Sequence, residues 1–448
     1  MRIAIRALLF ILALPLLARA EENWPQWRGP NLDGRVEAAN LPVQWSEGKN
    51  IVWKVPVPSW SGSTPAVWSD RIFLASPESS QPDSTLPKPE SGGNRRVQRD
   101  PGGESILLLC LSRKDGAELW RREVSKGNYF RMKQNMSSPS PVTDGELVWA
   151  FAGTGQLVAF DFSGKEIWRR DLQKDYGAFG QNHGYASSPL LYEDRLIVPV
   201  LHGMRTDDPS YLLALDKKTG KEIWKTVRPT DAIDESPDSY ATPQLLMQDG
   251  RALAVINGGD IVTAHDIETG KEIWRGGGAN PKNSPWYRVI ASCVVSGDRI
   301  FAPSRKSPLT AIKAGGSGDV TATHVLWRYD RGPDVPTPVT DGKLLWLVDD
   351  IGILTCLDAE TGQPIYEPQR IAQGTYSSSP ILADGKIYTI NENGVTTVLE
   401  AGPQFKVLAT NELDATYVLS SPVVIGDQIF IRTDSHLYCI ANLTKGDS

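Results

Sequence analysis

Residues 214–224 read Ala-Leu-Asp-Lys-Lys-Thr-Gly-Lys-Glu-Ile-Trp, and residues 264–274 repeat the stretch as Ala-His-Asp-Ile-Glu-Thr-Gly-Lys-Glu-Ile-Trp. Weaker copies occur at Cys110–Trp120, Ala159–Trp168 and Cys356–Tyr366. Short apolar segments opened by Ser-Pro or Thr-Pro lie between the copies, and the whole unit recurs at the period of about 40–50 residues that is typical of propeller repeats. Because the unit contains only strand and turn signals, the repeat predicts a single all-β domain.

Each unit predicts four strands joined by tight turns. In the third unit, the Asp216 side chain is placed to cap the amides of the following turn, and Gly220 occupies the position that needs a positive φ. The strand signals of this unit are Pro189–Tyr192, Arg195–Val200, Tyr211–Leu215 and Lys221–Trp224.

The number of units follows from the residue that opens each first strand. Eight such positions predict an eight-bladed β-propeller with four-stranded antiparallel blades; seven blades remain an alternative if the degenerate fifth or seventh unit is not a full blade. The opening positions are Pro65, Pro139, Pro189, Pro243, Cys293, Pro338, Pro380 and Pro422.

The last unit stops after its third strand, Leu437–Ala441, and the missing fourth strand is predicted at Asn50–Val55. Ring closure by one strand from each terminus removes an exposed sheet edge. A Trp recurs on the predicted outer strand, where its burial against the next blade is worth about 2–3 kcal/mol. These positions are Trp53, Trp120, Trp168, Trp224, Trp274 and Trp327, with Tyr366 and Leu408 as substitutes.

The N-terminus has the pattern of a secretory signal peptide over residues 1–20: Arg2 and Arg6, an apolar stretch, then Ala-Arg-Ala. We therefore expect an exported, periplasmic protein cleaved near Ala20, with the propeller over 21–448 and no later membrane span. The alternative is an uncleaved anchor. Removing three Arg and no acid changes the net charge from −6 to −9. This acidic balance argues against a nucleic-acid partner.

Two features interrupt the repeat without predicting chemistry. A Pro-, Ser-, Gly- and Arg-rich insertion in the first blade, 78–103, has no strand pattern and is predicted to be a mobile loop. The four cysteines do not form a disulfide pattern. Cys110, Cys356 and Cys439 replace the Ala of the repeat, and Cys293 replaces an opening Pro, so all four are predicted to be small buried side chains.

The Ala-x-Asp-x-x-Thr-Gly-x-x-x-Trp element resembles the tryptophan-docking motif of the pyrroloquinoline quinone (PQQ) repeat propellers. That superfamily includes the quinoprotein alcohol dehydrogenases and the non-enzymatic outer-membrane assembly propeller of the BamB type. More specifically, three strings resemble exported bacterial PQQ-like propellers of unassigned activity: Trp-Pro-Gln-Trp-Arg-Gly-Pro at 24–30, Ser-Trp-Ser-Gly-Ser-Thr-Pro at 59–65 and His-Gly-Tyr-Ala-Ser-Ser-Pro at 183–189. The resemblance implies the fold and an exported compartment.

The chain lacks the residues with which the dehydrogenase branch binds its cofactor and Ca²⁺. The alcohol dehydrogenases carry two adjacent cysteines over the cofactor, and this chain has no Cys-Cys pair. No segment matches their Ca²⁺-binding and catalytic motifs. We therefore predict no catalytic residue and no metal ligand, with PQQ and Ca²⁺ kept as an alternative.

Ligand sites of propellers lie in a funnel on one face. Here we define the funnel face as the lead-in segments that precede each first strand, together with the loops between second and third strands. Its candidate ligand-binding residues are Trp60, Arg131, Asn135, His183, Tyr185, Tyr240, Trp286, Arg288 and Arg305. His183 has two interpretations, a site residue or a donor to a neighbouring blade's carbonyl. The Arg side chains either bind the carboxylates of a ligand or pair with Asp residues at the rim. Trp60 and Trp286 either stack on a planar ligand or pack between blades.

Three functions are compatible with this pattern. The first is a non-catalytic, monomeric propeller that binds an unidentified periplasmic or envelope protein, or a small ligand, at the funnel face. The second is a PQQ-dependent oxidoreductase with a divergent cofactor site, which requires arginines and a stacking aromatic to converge at the axis. The third is a hydrolase or lyase that acts on an extracellular polymer, which requires His183 and a rim carboxylate about 3 Å apart at an open cleft.

Overall fold

The computed structural model describes residues 23–37, 40–79, 100–414 and 417–443. These residues form eight sheets, each with four antiparallel strands in the order of the repeat, and so confirm the eight-bladed propeller. The fifth and seventh units are full blades, which excludes the seven-bladed alternative. The helices in the described ranges are the single turns Leu172–Tyr176 and Thr321–His324, and neither is long and apolar enough to cross a membrane.

The predicted strand–turn–strand pattern appears in every blade. In blades 1 to 4 the strands are Ala66–Trp68, Arg71–Pro77, Ile106–Ser112 and Glu118–Ser125; Val142–Thr143, Leu147–Phe151, Gln156–Asp161 and Glu166–Asp171; Leu190–Tyr192, Arg195–Val200, Tyr211–Asp216 and Glu222–Val227; and Gln244–Gln248, Arg251–Gly258, Ile261–Asp266 and Glu272–Gly276.

The second half of the ring follows the same order and ends with the strand from the N-terminus. In blades 5 to 8 the strands are Val294–Ser296, Arg299–Ala302, Leu309–Lys313 and Val325–Tyr329; Val339–Thr340, Leu344–Val348, Ile353–Asp358 and Gln369–Arg370; Ile381–Ala383, Lys386–Ile390, Val395–Glu400 and Val407–Glu412; and Val423–Ile425, Gln428–Arg432, His436–Ile440 and Ile51–Pro56.

Ring closure by the N-terminal strand is confirmed. Ile51–Pro56 pairs antiparallel with His436–Ile440, one residue later than predicted. Two further short strands extend sheets by parallel pairing. Arg35–Val36 lies beside the first strand of blade 7, and Gly318–Asp319 lies beside the fourth strand of blade 4.

A closed belt of hydrogen bonds joins the eight blades at the start of their first strands. In each blade the backbone N–H of the Ser or Thr before the opening position donates to the side-chain hydroxyl of the corresponding residue in the next blade, at 2.8–3.2 Å. These residues are Thr64, Ser140, Ser188, Thr242, Ser292, Thr337, Ser379 and Ser421. In blade 2 the belt includes Ser140, so Pro141, not Pro139, opens that blade.

The repeated Trp connects neighbouring blades around the rim. Trp168 Nε1 donates to the Lys217 carbonyl at 2.9 Å, and a Cβ on Gly220 would lie 2.7 Å from the Trp168 ring. The turn that presents this carbonyl is held by Asp216, which accepts from the Thr219 amide and hydroxyl. The same indole-to-carbonyl contact is made by Trp53, Trp120, Trp224 and Trp327 with Arg113, Phe162, Ile267 and Ala359.

Trp274 departs from this pattern because blade 5 lacks the turn motif. Its Nε1 donates to Gln248 Oε1 in its own blade at 3.1 Å, and the indole is fully buried. The strand Gly318–Asp319 pairs with the strand that carries Trp274, and Val320 joins the surrounding core. The insertion in blade 5 therefore covers the outer edge of blade 4.

The string at 24–30 crosses the end of the ring. It contacts the first strands of blades 1, 2 and 3, and the fully buried Arg28 reaches blades 6 and 7. Burial lowers the pKa of Arg28 to about 10. The contacts are Trp24 with Val67, the Pro25 carbonyl with the Thr143 amide, Gln26 with the Leu191 amide, and Arg28 with the carbonyls of Pro338 and Pro380 at 2.6 and 3.1 Å.

The remaining predictions for the scaffold have mixed outcomes. The four cysteines are free and buried, as predicted, and burial raises the pKa of the Cys110 thiol to about 11. The predicted signal peptide and residues 80–99 of the predicted loop lie outside the described residues. The described ends of that loop are anchored, because the Glu78 amide donates to Ser105 and the Ser79 amide donates to Gly102.

Candidate functional site

The funnel face carries a polar cluster centred on His183, in the lead-in segment of blade 3. The His183 amide donates to the Tyr240 hydroxyl at 2.8 Å, and the two rings stack with centroids 5.7 Å apart. His183 Nε2 lies 3.7 Å from Glu235 Oε1, which is beyond hydrogen-bonding distance. Burial, with additional repulsion from Arg288, Arg305 and Arg131, lowers the pKa of His183 to about 4, so its imidazole is neutral at pH 7.

Two carboxylates of blade 4 fix the backbone around this histidine. Asp238 accepts from the amides of Asn182, Gly203 and Met204 at 2.6–3.1 Å. Glu235 accepts from Asn182 Nδ2 at 2.8 Å. Burial raises the pKa of Asp238 to about 6, although its three amide donors oppose the shift. Both carboxylates are therefore committed to holding the loops of blade 3 against blade 4.

Blade 2 contributes a tight turn that projects over the funnel. Arg131 and Gln134 pair through their backbones, and Met132 between them has a φ of +57° and a side chain that is 52% exposed. Gln134 Nε2 donates to the carbonyls of His183 and Gly184. Arg131 Nε donates to the Asn182 carbonyl at 2.9 Å. The side chains on both sides of Met132 thus attach the turn to blade 3.

Lys133, in the same turn, reaches across the ring. It forms an ion pair with Glu392, in the turn between the second and third strands of blade 7, and Ser377 donates to the same carboxylate oxygen. Because blades 2 and 7 are not neighbours, this contact spans the mouth of the funnel.

Blade 5 places two of the predicted arginines in different environments. Arg288 is buried and pairs with Asp334 of blade 6 at 3.3 Å, while its Nε and Nη1 have no hydrogen-bond partner. Arg305 is half-buried and donates to the Trp286 carbonyl. The Trp286 side chain is 51% exposed. Blade 5 therefore presents an indole and a guanidinium side by side at the rim.

Three predicted site residues lie in the packed interior. Tyr185 packs against Phe151 and Phe179, and its hydroxyl donates to the Pro199 carbonyl at 2.7 Å. Asn135 is fully buried and bonds the Trp60 and Pro101 carbonyls. The Trp60 ring meets Phe130 and Tyr417 edge-on, and its Nε1 donates to the Asp100 carbonyl. These contacts give all three residues a packing role at the funnel wall.

Sequence reasoning did not select the acidic partners of the cluster. Asp334 and Glu392 pair with the funnel cations Arg288 and Lys133, and Glu235 lies beside the neutral His183. Asp350 accepts from the Asp334 amide at 3.1 Å. The available signal was the position of Glu235 and Asp334, eight and four residues before the opening positions Pro243 and Pro338. In the described ranges, no three His, Cys, Asp or Glu side chains are placed to hold a metal ion.

The fold and this face define an eight-bladed propeller whose funnel is lined by paired polar groups. A family model described as outer membrane protein assembly factor BamB matches residues 104–367, which is more than half of the chain. The chain therefore belongs to that family. The outer membrane protein assembly factor BamB of Yersinia pestis is 23% identical over 361 residues, covering 71% of this chain and 86% of that protein.

Solved structures of a BamB protein and of two dehydrogenases have the same fold. BamB from Moraxella catarrhalis superposes with a TM-score of 0.59 at 13% identity, covering 86% of this chain and 99% of the other. A europium-containing methanol dehydrogenase superposes with a TM-score of 0.68 at 11% identity, covering 94% of this chain and 98% of the other. The quinohemoprotein alcohol dehydrogenase from Comamonas testosteroni superposes with a TM-score of 0.62 at 11% identity, covering 94% of this chain and 80% of the other. Identities this low establish the fold alone.

The quinone cofactor implied by the dehydrogenase resemblance does not fit the residues predicted to hold it. A planar tricarboxylate needs arginine forks and an open aromatic face. Here Arg288 is buried and its Nη2 is paired with Asp334, although Nε and Nη1 have no partner. Arg131 and Arg305 each donate to a backbone carbonyl. Trp60 is only 6% exposed, between two rings. We therefore derive no chemistry through this cofactor.

Proposed function

We propose that this protein is an exported, non-catalytic propeller that binds a partner protein on its funnel face. The observation that carries the proposal is a set of large apolar side chains exposed on that face. Together with nearby arginines, they have the aromatic, Met and Arg composition that is enriched at protein interfaces. They are Tyr129, Met132, Ile233, Trp286 and Ile351, in blades 2, 4, 5 and 6.

The distribution of these residues supports a docking role. On the outside of the ring, exposed apolar residues are dispersed along the fourth strands of several blades, as with Leu119, Ile167 and Ile223. Such isolated residues are normal on protein surfaces. On the funnel face, in contrast, they lie on loops that are held together by side-chain hydrogen bonds between blades.

The rigidity of the face also supports the proposal. Asp238 and Glu235 fix the loops of blade 3, and the Lys133–Glu392 pair ties blade 2 to blade 7. A surface that is ordered before binding loses less conformational entropy when the partner arrives. His183, neutral and stacked on Tyr240, contributes to this order and needs no catalytic role.

Membership of this family supports a location in the cell envelope for the proposed function. The relatives are described as outer membrane protein assembly factors, and the pattern at residues 1–20 is that of a signal peptide. We extend to this chain a role in binding envelope proteins after export and signal-peptide removal.

Site-specific photo-crosslinking in cells tests the proposal. The photoreactive amino acid is introduced at Met132 or Trp286 on the funnel face, and, as a matched control, at Met247, an exposed residue of the first strand of blade 4. We expect a discrete crosslinked protein, identified by mass spectrometry, from the funnel positions only. Equal crosslinking from Met247, or none from the funnel positions, would contradict the proposal.

A further inference from the structure

We infer that the outer rim of the ring carries a second site, which binds a small hydroxylated carboxylate such as a sugar acid. The site is a cavity of about 260 Å³ between blades 4 and 5, and we call it the rim pocket. Its walls include Asp249, Arg251 and Ile273 of blade 4, and Gly316 and Ser317 of the blade 5 insertion. These segments lie at the end of the sheets opposite the funnel face, so the inference goes beyond the proposed partner-binding function.

The rim pocket lies where the repeat is broken. In blades 2, 3 and 4, the turn between the third and fourth strands packs against the preceding blade and accepts a hydrogen bond from its Trp. In blade 5 the segment 314–324 replaces that turn. Its residues Gly318–Asp319 pair with the outer strand of blade 4, and Trp274 bonds Gln248 in its own blade instead. The replacement leaves the rim pocket between the two blades.

Intact positions of the repeat show what an arginine at the start of the second strand normally contacts. In blade 3 this residue is Arg195, which forms ion pairs with Asp194 in its own turn and with Glu268 in the third-to-fourth-strand turn of blade 4. In blade 1 it is Arg71, which donates to the Phe162 carbonyl in the equivalent turn of blade 2 at 3.3 Å. The turn of the next blade therefore supplies an acceptor to this arginine.

Arg251, the equivalent residue of blade 4, has lost both kinds of carboxylate partner. Gly250 stands where blade 3 has Asp194, and blade 5 has no turn to supply a counterpart of Glu268. Within the part of the chain that the structure describes, the exposed Arg251 side chain forms no ion pair and no hydrogen bond. A carboxylate in the rim pocket would restore the charge-assisted, two-pronged contact that a guanidinium favours.

The other groups of the rim pocket match hydroxyls and a small carbon skeleton. Among the described residues, the Asp249 carboxylate and the Ser317 hydroxyl have no hydrogen-bond partner, so Asp249 accepts from ligand hydroxyls and Ser317 both donates and accepts. Leu253 and Ile273 provide an apolar wall. The volume is just below the range of about 300–1,000 Å³ that is typical of ligand pockets, which limits the ligand to a small molecule.

The test compares three sugars of similar size that differ in charge: glucuronate, glucose and glucosamine. Binding to the purified protein is measured by titration with saturation-transfer difference NMR. The pocket variants are Arg251→Gln, which removes the charge, and Ser317→Trp, which fills the cavity from an exposed position. The matched control is Arg195→Gln, at the same position of the repeat in blade 3. Circular dichroism confirms that each variant is folded.

We expect glucuronate to bind saturably, and glucose and glucosamine to bind about tenfold more weakly or less. Arg251→Gln should reduce glucuronate binding to the level of glucose, Ser317→Trp should abolish it, and Arg195→Gln should leave it unchanged. The inference would be overturned if glucuronate did not bind saturably, if either other sugar bound as tightly, or if the pocket variants bound glucuronate as well as Arg195→Gln does. Because the rim pocket and the funnel face are separate, this result is independent of the crosslinking experiment.

Discussion

The backbone N–H of Ser421 donates to the side-chain hydroxyl of Thr64 at 3.2 Å and so joins the last blade to the first. Seven equivalent bonds between neighbouring blades complete the belt, and Thr64 is 1% exposed. A buried amide that loses its acceptor bears the cost of desolvation. The Ser-Pro and Thr-Pro openings of the repeat therefore have a physical role: they supply both partners of a continuous hydrogen-bonded ring.

Removing one hydroxyl from the belt should destabilise the ring. Thr64→Val keeps the side-chain shape but leaves the Ser421 amide without its acceptor. We expect the free energy of unfolding to fall by about 1–3 kcal/mol, measured by urea denaturation. Thr64→Ser retains the hydroxyl and is the control. Equal stability of Thr64→Val and Thr64→Ser would show that the belt contributes nothing.

The contact between Gly220 and Trp168 allows a second test with an unusually close control. Gly220 and Gly250 both have positive φ, +68° and +75°. A Cβ on Gly220 would lie 2.7 Å from the indole, whereas one on Gly250 meets nothing within 4 Å. Gly250→Ala should therefore cost only the backbone strain, about 1–2 kcal/mol. Gly220→Ala should cost a further 1–3 kcal/mol or so, from the steric clash. An equal loss of stability for Gly220→Ala and Gly250→Ala, measured by thermal unfolding, would contradict the packing role of the indole.

His183 should make the protein less stable in mild acid. In the unfolded chain it takes up a proton near its ordinary pKa of 6.5, but in the folded protein only near pH 4. The unfolded state therefore binds more protons between these values, and stability falls as pH decreases, by at most about 1.4 kcal/mol per pH unit for one histidine. Urea unfolding of His183→Gln between pH 7 and pH 4.5 should show a shallower decline.

Other titratable groups, among them His265 and Asp238, affect this profile in both proteins alike. His265 is buried and its pKa is lowered to about 4, so it adds to the loss of stability in acid. Asp238, whose pKa is raised to about 6, acts in the opposite direction, because the folded protein holds its proton below pH 6. The difference between wild type and His183→Gln isolates the histidine. Identical slopes would mean that His183 is not desolvated in the folded protein.

The protein is not expected to bind the quinone cofactor. Because Arg288 is paired with Asp334 and Trp60 is covered, calorimetric titration with PQQ, with and without Ca²⁺, should give no saturable heat. Micromolar binding that is lost in Arg288→Ala would restore the oxidoreductase alternative.

Much of the scaffold could be predicted from sequence because the repeat is local. The Asp216–Thr219–Gly220 turn and the Trp168 contact recur with fixed spacing, so each copy reinforces the others. Blade 2 shows the limit of this reasoning. Its string Ser138-Pro139-Ser140-Pro141 offers two openings, and only the register of the belt, set by neighbouring blades, selects Ser140.

The site was harder to predict because its contacts connect residues distant in sequence. Arg28 reaches Pro380 across 352 positions, and Lys133 reaches Glu392 across the mouth of the funnel. A polar residue in a loop gives no sign of whether it faces solvent or, like Asn135, bonds two carbonyls in the interior. Residue type and loop position therefore predict a candidate face, whereas the pairing of its groups required the three-dimensional structure.

Hydrogen exchange on the complex with the crosslinked partner tests the central claim most directly. We expect binding to slow amide exchange in the funnel-face segments of blades 2 to 5, at residues 129–134, 182–184, 233–239 and 284–288. Exchange in the turns at 193–194 and 249–250, at the other end of the sheets, should not change. Protection confined to those turns or to the outer strands, with the funnel segments unaffected, would contradict the account.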